Sequence, residues 1–218
     1  MPKKQYRDYR GQAITIRFEP GRCIHAEECV KGAPAVFDAE RRPWIDPDGD
    51  GADHVAAVIM RCPTGALQFE RLDGGEAEPD AARCRVRVVE DGPLYVTGNL
   101  SLSHSGGERR MEKRVALCRC GASKNKPFCD NSHIETGFTD PAKVERTEEA
   151  LEDGPGPGSL ELSPAPDGPM LFTGPVLIQD GRGEACQVKS KGAFCRCGAS
   201  GNKPFCDGSH RKVGFTAP

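Results

Sequence analysis

Apolar and polar residues alternate over residues 13–18, Ala-Ile-Thr-Ile-Arg-Phe, the two-residue period of a strand with one buried face. A helix is predicted over residues 52–60, and a second short strand over 66–69, just after Cys62-Pro63. Residues 71–80 are polar and broken by Gly and Pro, so they read as a linker. Beyond them, β-rich runs at 85–89, 94–97 and 115–117 are cut by Gly-Pro or Gly-Gly turns. A polar tract over 145–158 ends in Gly-Pro-Gly-Pro-Gly, which resists regular structure. The pattern predicts an α+β chain, with a small mixed domain over 1–75 and two β-rich modules over 83–142 and 159–218.

The two modules are copies of one unit. Asp91-Gly-Pro93-Leu-Tyr-Val-Thr97-Gly98 aligns with Asp167-Gly-Pro169-Met-Leu-Phe-Thr173-Gly174, an offset of 76 residues. Further on the offset becomes 77, and Gly137-Phe138 aligns with Gly214-Phe215. A repeat of that length marks a duplicated module rather than two accidental matches.

Inside each copy lies a sixteen-residue motif. Cys118-Arg-Cys120-Gly-Ala-Ser123-Lys-Asn-Lys-Pro127-Phe-Cys129-Asp130-Asn131-Ser132-His133 returns as Cys195-Arg-Cys197-Gly-Ala-Ser200-Gly-Asn-Lys-Pro204-Phe-Cys206-Asp207-Gly208-Ser209-His210. Three thiols and an imidazole at fixed offsets are ligand chemistry, since packing would preserve apolar volume instead. A strand would point Cys118 and Cys120 to one face, and a kinked loop would serve as well. Cys129 and His133 are four apart, which on a helix stacks them on one side. Pro127 suits the entry to such a helix, and Asp130 could bond its first amides. Zinc and an iron-sulfur cluster both fit this ligand set.

Composition narrows the setting. The chain of 218 residues is 37% hydrophobic with 26 Gly and 18 Pro, which suits small loop-rich modules stapled by metal. A net charge of -2 gives no general electrostatic reason to bind nucleic acid or an anionic membrane. Eleven cysteines, an odd number, follow a start too polar for a signal core, and no stretch approaches a membrane span. Reduced thiols used as ligands in a bacterial cytoplasm are therefore expected.

The duplicated motif resembles the CDGSH iron-sulfur family. Cys206-Asp207-Gly208-Ser209-His210 spells the signature in full, and Cys129-Asp130-Asn131-Ser132-His133 differs by Asn for Gly. Both residues tolerate a left-handed backbone. The resemblance covers roughly residues 84–218. It implies two 2Fe-2S clusters, one held by Cys118, Cys120, Cys129 and His133, the other by Cys195, Cys197, Cys206 and His210. It also implies that the two modules pair within one chain about a pseudo-twofold axis, with no further copy needed. The histidines would be approachable by solvent, and their protonation would make the clusters acid-labile and transferable.

The first domain has its own candidate site. Bacterial ferredoxins use C-x2-C-x2-C with a remote Cys-Pro. Here Cys23 and Cys29 hold the outer positions, Ala26 the middle one, and Cys62-Pro63 is followed by Thr-Gly-Ala-Leu. Residues 12–70 resemble the divergent single-cluster ferredoxins. Three cysteines complete a 3Fe-4S cluster, whereas a 4Fe-4S cluster needs a fourth ligand, from His25 or solvent. His25 reads more simply as a surface loop residue.

Other features carry less. Cys84, in a strand-like run, and Cys186, in a polar loop, have no duplicate and read as packing thiols. Asp46-Pro-Asp48-Gly-Asp50-Gly lacks the terminal Glu of a calcium loop and reads as a solvated turn. Trp44 is assigned to the core, while His54 and His104 are assigned nothing. With no nucleophile-base constellation or phosphate loop, no enzymatic turnover is expected. The reading is a multi-cluster iron-sulfur protein engaged in one-electron transfer with redox protein partners. The rival readings are a cluster donor to apo-acceptors or a redox sensor, and a structural zinc protein.

Overall fold

A computed structural model describes residues 6–103, 109–147 and 156–218, so His104 and part of the polar tract lie outside the described residues. The chain divides into two compact units, Met1–Pro79 and Asp80–Pro218. No helix among the described residues is long and apolar enough to cross a membrane.

The first unit is a three-stranded antiparallel sheet backed by helices. Its strands β1 (Arg7–Arg10), β2 (Ile14–Phe18) and β3 (Leu67–Arg71) lie in chain order, with Ile16 opposite both Tyr9 and Phe69. Helix α1 (Glu28–Gly32) is one turn long, and α2 spans Ala52–Met60. Val55, Val58 and Ile59 of α2, at helical i, i+3, i+4 spacing, are fully buried against Ile14, Ile16, Val36 and Phe37. Gly51 precedes α2, while Asp46 accepts the amide of Asp48, so the candidate calcium segment is a short capped turn. His54 bonds Asp50 one turn back. Trp44 packs edge-on against Phe18 at the border of this core.

The linker begins later than its polarity suggests. Arg71 ends β3 and is clamped between Asp53 and Asp73, so this residue is structural.

The second unit is almost entirely β. Strands β4 (Cys84–Val88), β5 (Leu94–Ser103) and β6 (Arg109–Leu117) form the first module; β7 (Ser159–Pro164), β8 (Met170–Gln179) and β9 (Ala185–Phe194) form the second. Each pairing in one module has an equivalent in the other. β4–β5 and β7–β8 are antiparallel, as are β5–β6 and β8–β9. The modules join through two parallel pairings, β4 with β8 and β5 with β7. One strand therefore serves two partners along one edge, and a glycine marks the changeover. At Gly98 (φ 141°) a side chain would strike Cys84, and at Gly174 (φ 119°) it would overlap the Ser159 carbonyl. Alternate residues of β5 (Leu94, Val96, Leu100, Leu102) meet their equivalents in one shared core, where Phe172 stacks on Phe194 at 4.4 Å.

The α+β expectation thus describes the first unit, and the chain as a whole is mostly β. Cys186 lies inside β9 and is buried, not in a loop; its polar neighbours belong to the adjacent turn. Cys84 is a buried strand residue beside Gly98.

Candidate metal centres

Both motifs begin where a long strand ends. Cys118 follows β6 and Cys195 follows β9, each with its amide bonded to the carbonyl of the motif proline, Pro127 or Pro204. Gly121 (φ 83°) and Gly198 (φ 80°) then turn the chain. A helix running from the proline through Cys129 to His133 is not what forms. Asn131 (φ 71°) and Gly208 (φ 87°) are left-handed, so only Ser132–Glu135 (α3) and Ser209–Lys212 (α4) are helical. That turn, rather than a helix face, brings each cysteine to its histidine.

The donors stand in pairs. Cys118 Sγ lies 3.6 Å from Cys120 Sγ and Cys195 Sγ 3.7 Å from Cys197 Sγ. Cys129 Sγ lies 3.5 Å from His133 Nδ1 and Cys206 Sγ 3.4 Å from His210 Nδ1. Two sulfurs on one tetrahedral metal stand about 3.8 Å apart, and a sulfur and an imidazole nitrogen about 3.6 Å, from ordinary metal–ligand bond lengths. Each pair therefore fits two positions on one metal. Among the described residues no three Cys, His, Asp or Glu side chains converge on a single ion.

Polar contacts hold this arrangement identically in both copies. Ser123 Oγ donates to the Phe128 carbonyl and Ser200 Oγ to that of Phe205. Asp130 accepts from Lys124 N and Ser132 N, and Asp207 from Gly201 N and Ser209 N. Backbone amides also point at sulfur: Ala122 N at Cys120, Asn131 N at Cys129, and Gly208 N at Cys206, each at 3.4 Å. Such bonds stabilise thiolate and tune any bound metal.

Charge is unevenly spread over the donors. The hydrogen bond between Cys118 and Cys120 raises the pKa of Cys118 and lowers that of Cys120, so the pair titrates as a unit. Burial pushes the Cys129 thiol up to about 11 and raises that of Cys197. Burial, with help from the nearby Arg119 charge, lowers the pKa of His133 and keeps its ring neutral, the form that can ligate.

The arginine between the first two cysteines is a structural residue whose role composition conceals. Arg119 is buried, bonding the carbonyls of Gly92 (2.8 Å) and Val89 (2.6 Å) and the Asp140 carboxylate (2.7 Å). Arg196 likewise bonds the Gly168, Ala165 and Pro218 oxygens. Each lies over the ring of its module's Gly-Phe pair, Phe138 or Phe215. Repetition of Asp-Gly-Pro, Cys-Arg-Cys and Gly-Phe in both copies was the available signal, because these three segments meet at the arginine.

The two motifs touch. Cys120 and Cys197 pair through an antiparallel backbone bridge, and a side chain at Gly121 or Gly198 would press on the opposite cysteine carbonyl at 2.8 Å.

In the first unit Cys23, Cys29 and Cys62 line one cavity of about 680 Å³, together with Tyr9, His25, Trp44 and Thr64. Burial pushes Cys29 up to about 11 and raises Cys23, and the charge of Cys62 acts on both. The segment carrying Cys23 is tied to that carrying Cys62 by buried Arg22, which donates to the Thr64 carbonyl at 2.5 Å. Between Cys23 and Cys29 the backbone is left-handed at His25 (φ 54°) and Glu27 (φ 62°), the kind of strain that collects at functional loops. His25 is exposed at the cavity edge, and Glu27 is paired with Lys31.

Comparison with known proteins follows the same division. Residues 9–71 match the family described as "Divergent 4Fe-4S mono-cluster", and residues 91–134 and 167–211 each match "Iron-binding zinc finger CDGSH type". The "Uncharacterized protein YjdI" of Escherichia coli K12 and that of strain O157:H7 are each 41% identical over 64 residues. That alignment covers 29% of this chain and 84% of the relative, and falls in the N-terminal domain. No solved structure matches the chain. By its first unit the chain belongs to the divergent 4Fe-4S mono-cluster family, and it carries two iron-binding CDGSH-type domains behind it.

Proposed function

We propose that this protein is a multi-centre electron carrier holding two 2Fe-2S clusters and a third cluster of the 3Fe-4S or 4Fe-4S kind. The observation that carries the reading is the two-plus-two arrangement of donors, with sulfur–sulfur gaps of 3.6 and 3.7 Å and sulfur–nitrogen gaps of 3.5 and 3.4 Å. One zinc ion would draw four donors around one point, whereas two pairs suit a centre with two metals. Cys118 and Cys120 would take one iron, and Cys129 with His133 Nδ1 the other. Cys195, Cys197, Cys206 and His210 would repeat this. Cys23, Cys29 and Cys62 would hold the third cluster, with His25 the candidate fourth ligand if it carries four irons.

When bound, such clusters accept and release single electrons without proton chemistry from the protein. The residues of the chain place the donors, exclude water from Cys118, Cys129 and Cys195, and aim amides at sulfur. The Cys120–Cys197 bridge supports the reading by giving the two centres a short common boundary. The test is repeated dithionite reduction and air-free reoxidation followed by visible absorbance. Full recovery over many cycles supports electron transfer. Progressive bleaching with appearance of the cluster in an added apo-protein would replace it with cluster donation, which the half-buried setting of His133 and His210 favours as the second reading.

A further inference from the structure

The two CDGSH modules share a fold and a donor set but present different chemistry on the helix that carries the histidine. α3 reads Ser132-His133-Ile134-Glu135, and α4 reads Ser209-His210-Arg211-Lys212. Residues 118–138 contain three cations (Arg119, Lys124, Lys126) and two carboxylates (Asp130, Glu135); residues 195–215 contain four cations (Arg196, Lys203, Arg211, Lys212) and one carboxylate (Asp207). Arg119 and Arg196 are interior and cancel in this comparison, so the difference is a surface property. Both oxygens of the single carboxylate, Asp207, are engaged by backbone amides.

The second site is also the more open one. Cys129 is buried while Cys206 is half-buried, and Asp130 is half-buried while Asp207 is exposed. Arg211 and Lys212 are exposed, and Val213 beside them is 55% exposed, giving an apolar contact inside a cationic rim. Electron exchange falls steeply with distance, so the less covered centre is the natural point of exchange with a partner. A cationic rim raises the encounter rate of anionic partners and repels cationic ones.

We propose that the α4 face of the second module, formed by Arg211, Lys212 and Val213 beside His210, is the docking surface for an acidic electron-carrier protein. The first module exchanges electrons through the Cys120–Cys197 boundary instead of docking partners itself. This rests on the electron-transfer reading and adds the route and the charge of the partner to it.

The test uses the full chain, reduced with dithionite, and two inorganic oxidants of opposite charge, hexacyanoferrate(III) and hexaamminecobalt(III). Each reduced centre gives one electron to one complex, converting Fe(III) to Fe(II) or Co(III) to Co(II), with no proton moved. At low ionic strength, Arg211→Glu with Lys212→Glu should slow oxidation by hexacyanoferrate(III) at least about tenfold and speed oxidation by hexaamminecobalt(III). Both effects should shrink as salt shortens the screening length. Glu135→Lys on α3 should change either rate less than about twofold. Visible absorbance checks that each variant keeps its clusters; if the charge reversal loses them, Arg211→Gln with Lys212→Gln should show the same trend at smaller size. Rates indifferent to charge at 211 and 212, or a larger effect from Glu135→Lys, would overturn the docking surface alone. A wild-type chain oxidised by neither complex would overturn the electron-transfer reading together with it.

Discussion

Replacing Arg119 by Met removes a buried cation that joins three segments of the first module. The side chain makes charge-assisted bonds of 2.6–2.8 Å to Val89, Gly92 and Asp140. Met keeps most of the stem packing, so the loss is polar. Asp140 would keep one bond, from the Ala142 amide at 3.0 Å, but would be left buried without its counter-charge. Breaking one side of a buried pair costs about 3–5 kcal/mol. For a slope near 2 kcal/mol per molar urea, the midpoint should fall by about 1.5–2.5 M. Asp140→Asn in the same chain should recover part of that cost, with a coupling of at least about 1 kcal/mol. Arg196→Met should cost less, because its contacts are to the Gly168, Ala165 and Pro218 oxygens and no aspartate is stranded. Urea unfolding followed by far-UV circular dichroism reads these three variants and Asp140→Asn alone, which completes the cycle. A loss below about 1 kcal/mol for Arg119→Met, or strict additivity with Asp140→Asn, would refute the argument that this pair holds the motif.

Other consequences are more local. Gly174→Ala should destabilise the second unit by at least about 2 kcal/mol in the same urea assay, because φ is 119° and the new methyl meets the Ser159 carbonyl. Cys62→Ser should remove about three or four irons per chain and leave about four, measured by iron assay; loss of all iron would contradict independent sites. His210→Cys should keep the second cluster but lower its potential in a spectroelectrochemical titration, since thiolate donates more charge than imidazole. Asp73 is held down to about 2 by the Arg71 guanidinium and the Gly75 amide, a folded pKa below the unfolded value near 3.9. The clamp's contribution is thus complete above about pH 4 and lost as pH falls through 2. Carboxyl NMR should show that midpoint, and Arg71→Gln should return it toward 3.9.

The duplicated unit and helix α2 are legible in the sequence, because each rests on local spacing. Ala52–Met60 forms where its apolar positions lead, and β4 and β5 begin within a residue of their β-rich runs, whereas β6 begins at Arg109, six residues before the run at 115–117. The connection between Cys129 and His133 is misread from spacing alone: a four-residue step suggests a helix, but Asn131 is left-handed and the helix starts after it. The length of β5 and β8 is hidden because Gly98 and Gly174 look like strand ends, yet each is a bulge where the strand changes partner. Cross-module pairing of β4 with β8 depends on that change and has no local trace. The burial of Arg119 and Arg196 has no local trace in the sequence, since it is decided by distant carbonyls. The N-terminal cavity was traceable to Cys23, Cys29 and Cys62, whereas Arg22, which binds two of their segments together, carries no signature.

The most direct test of the central claim is quantification of iron, acid-labile sulfide and zinc, with a visible spectrum, on one anaerobic sample of the full chain. The protein should be red-brown, with about seven or eight irons per chain, matching sulfide and negligible zinc. A colourless protein with stoichiometric zinc and no sulfide would contradict it.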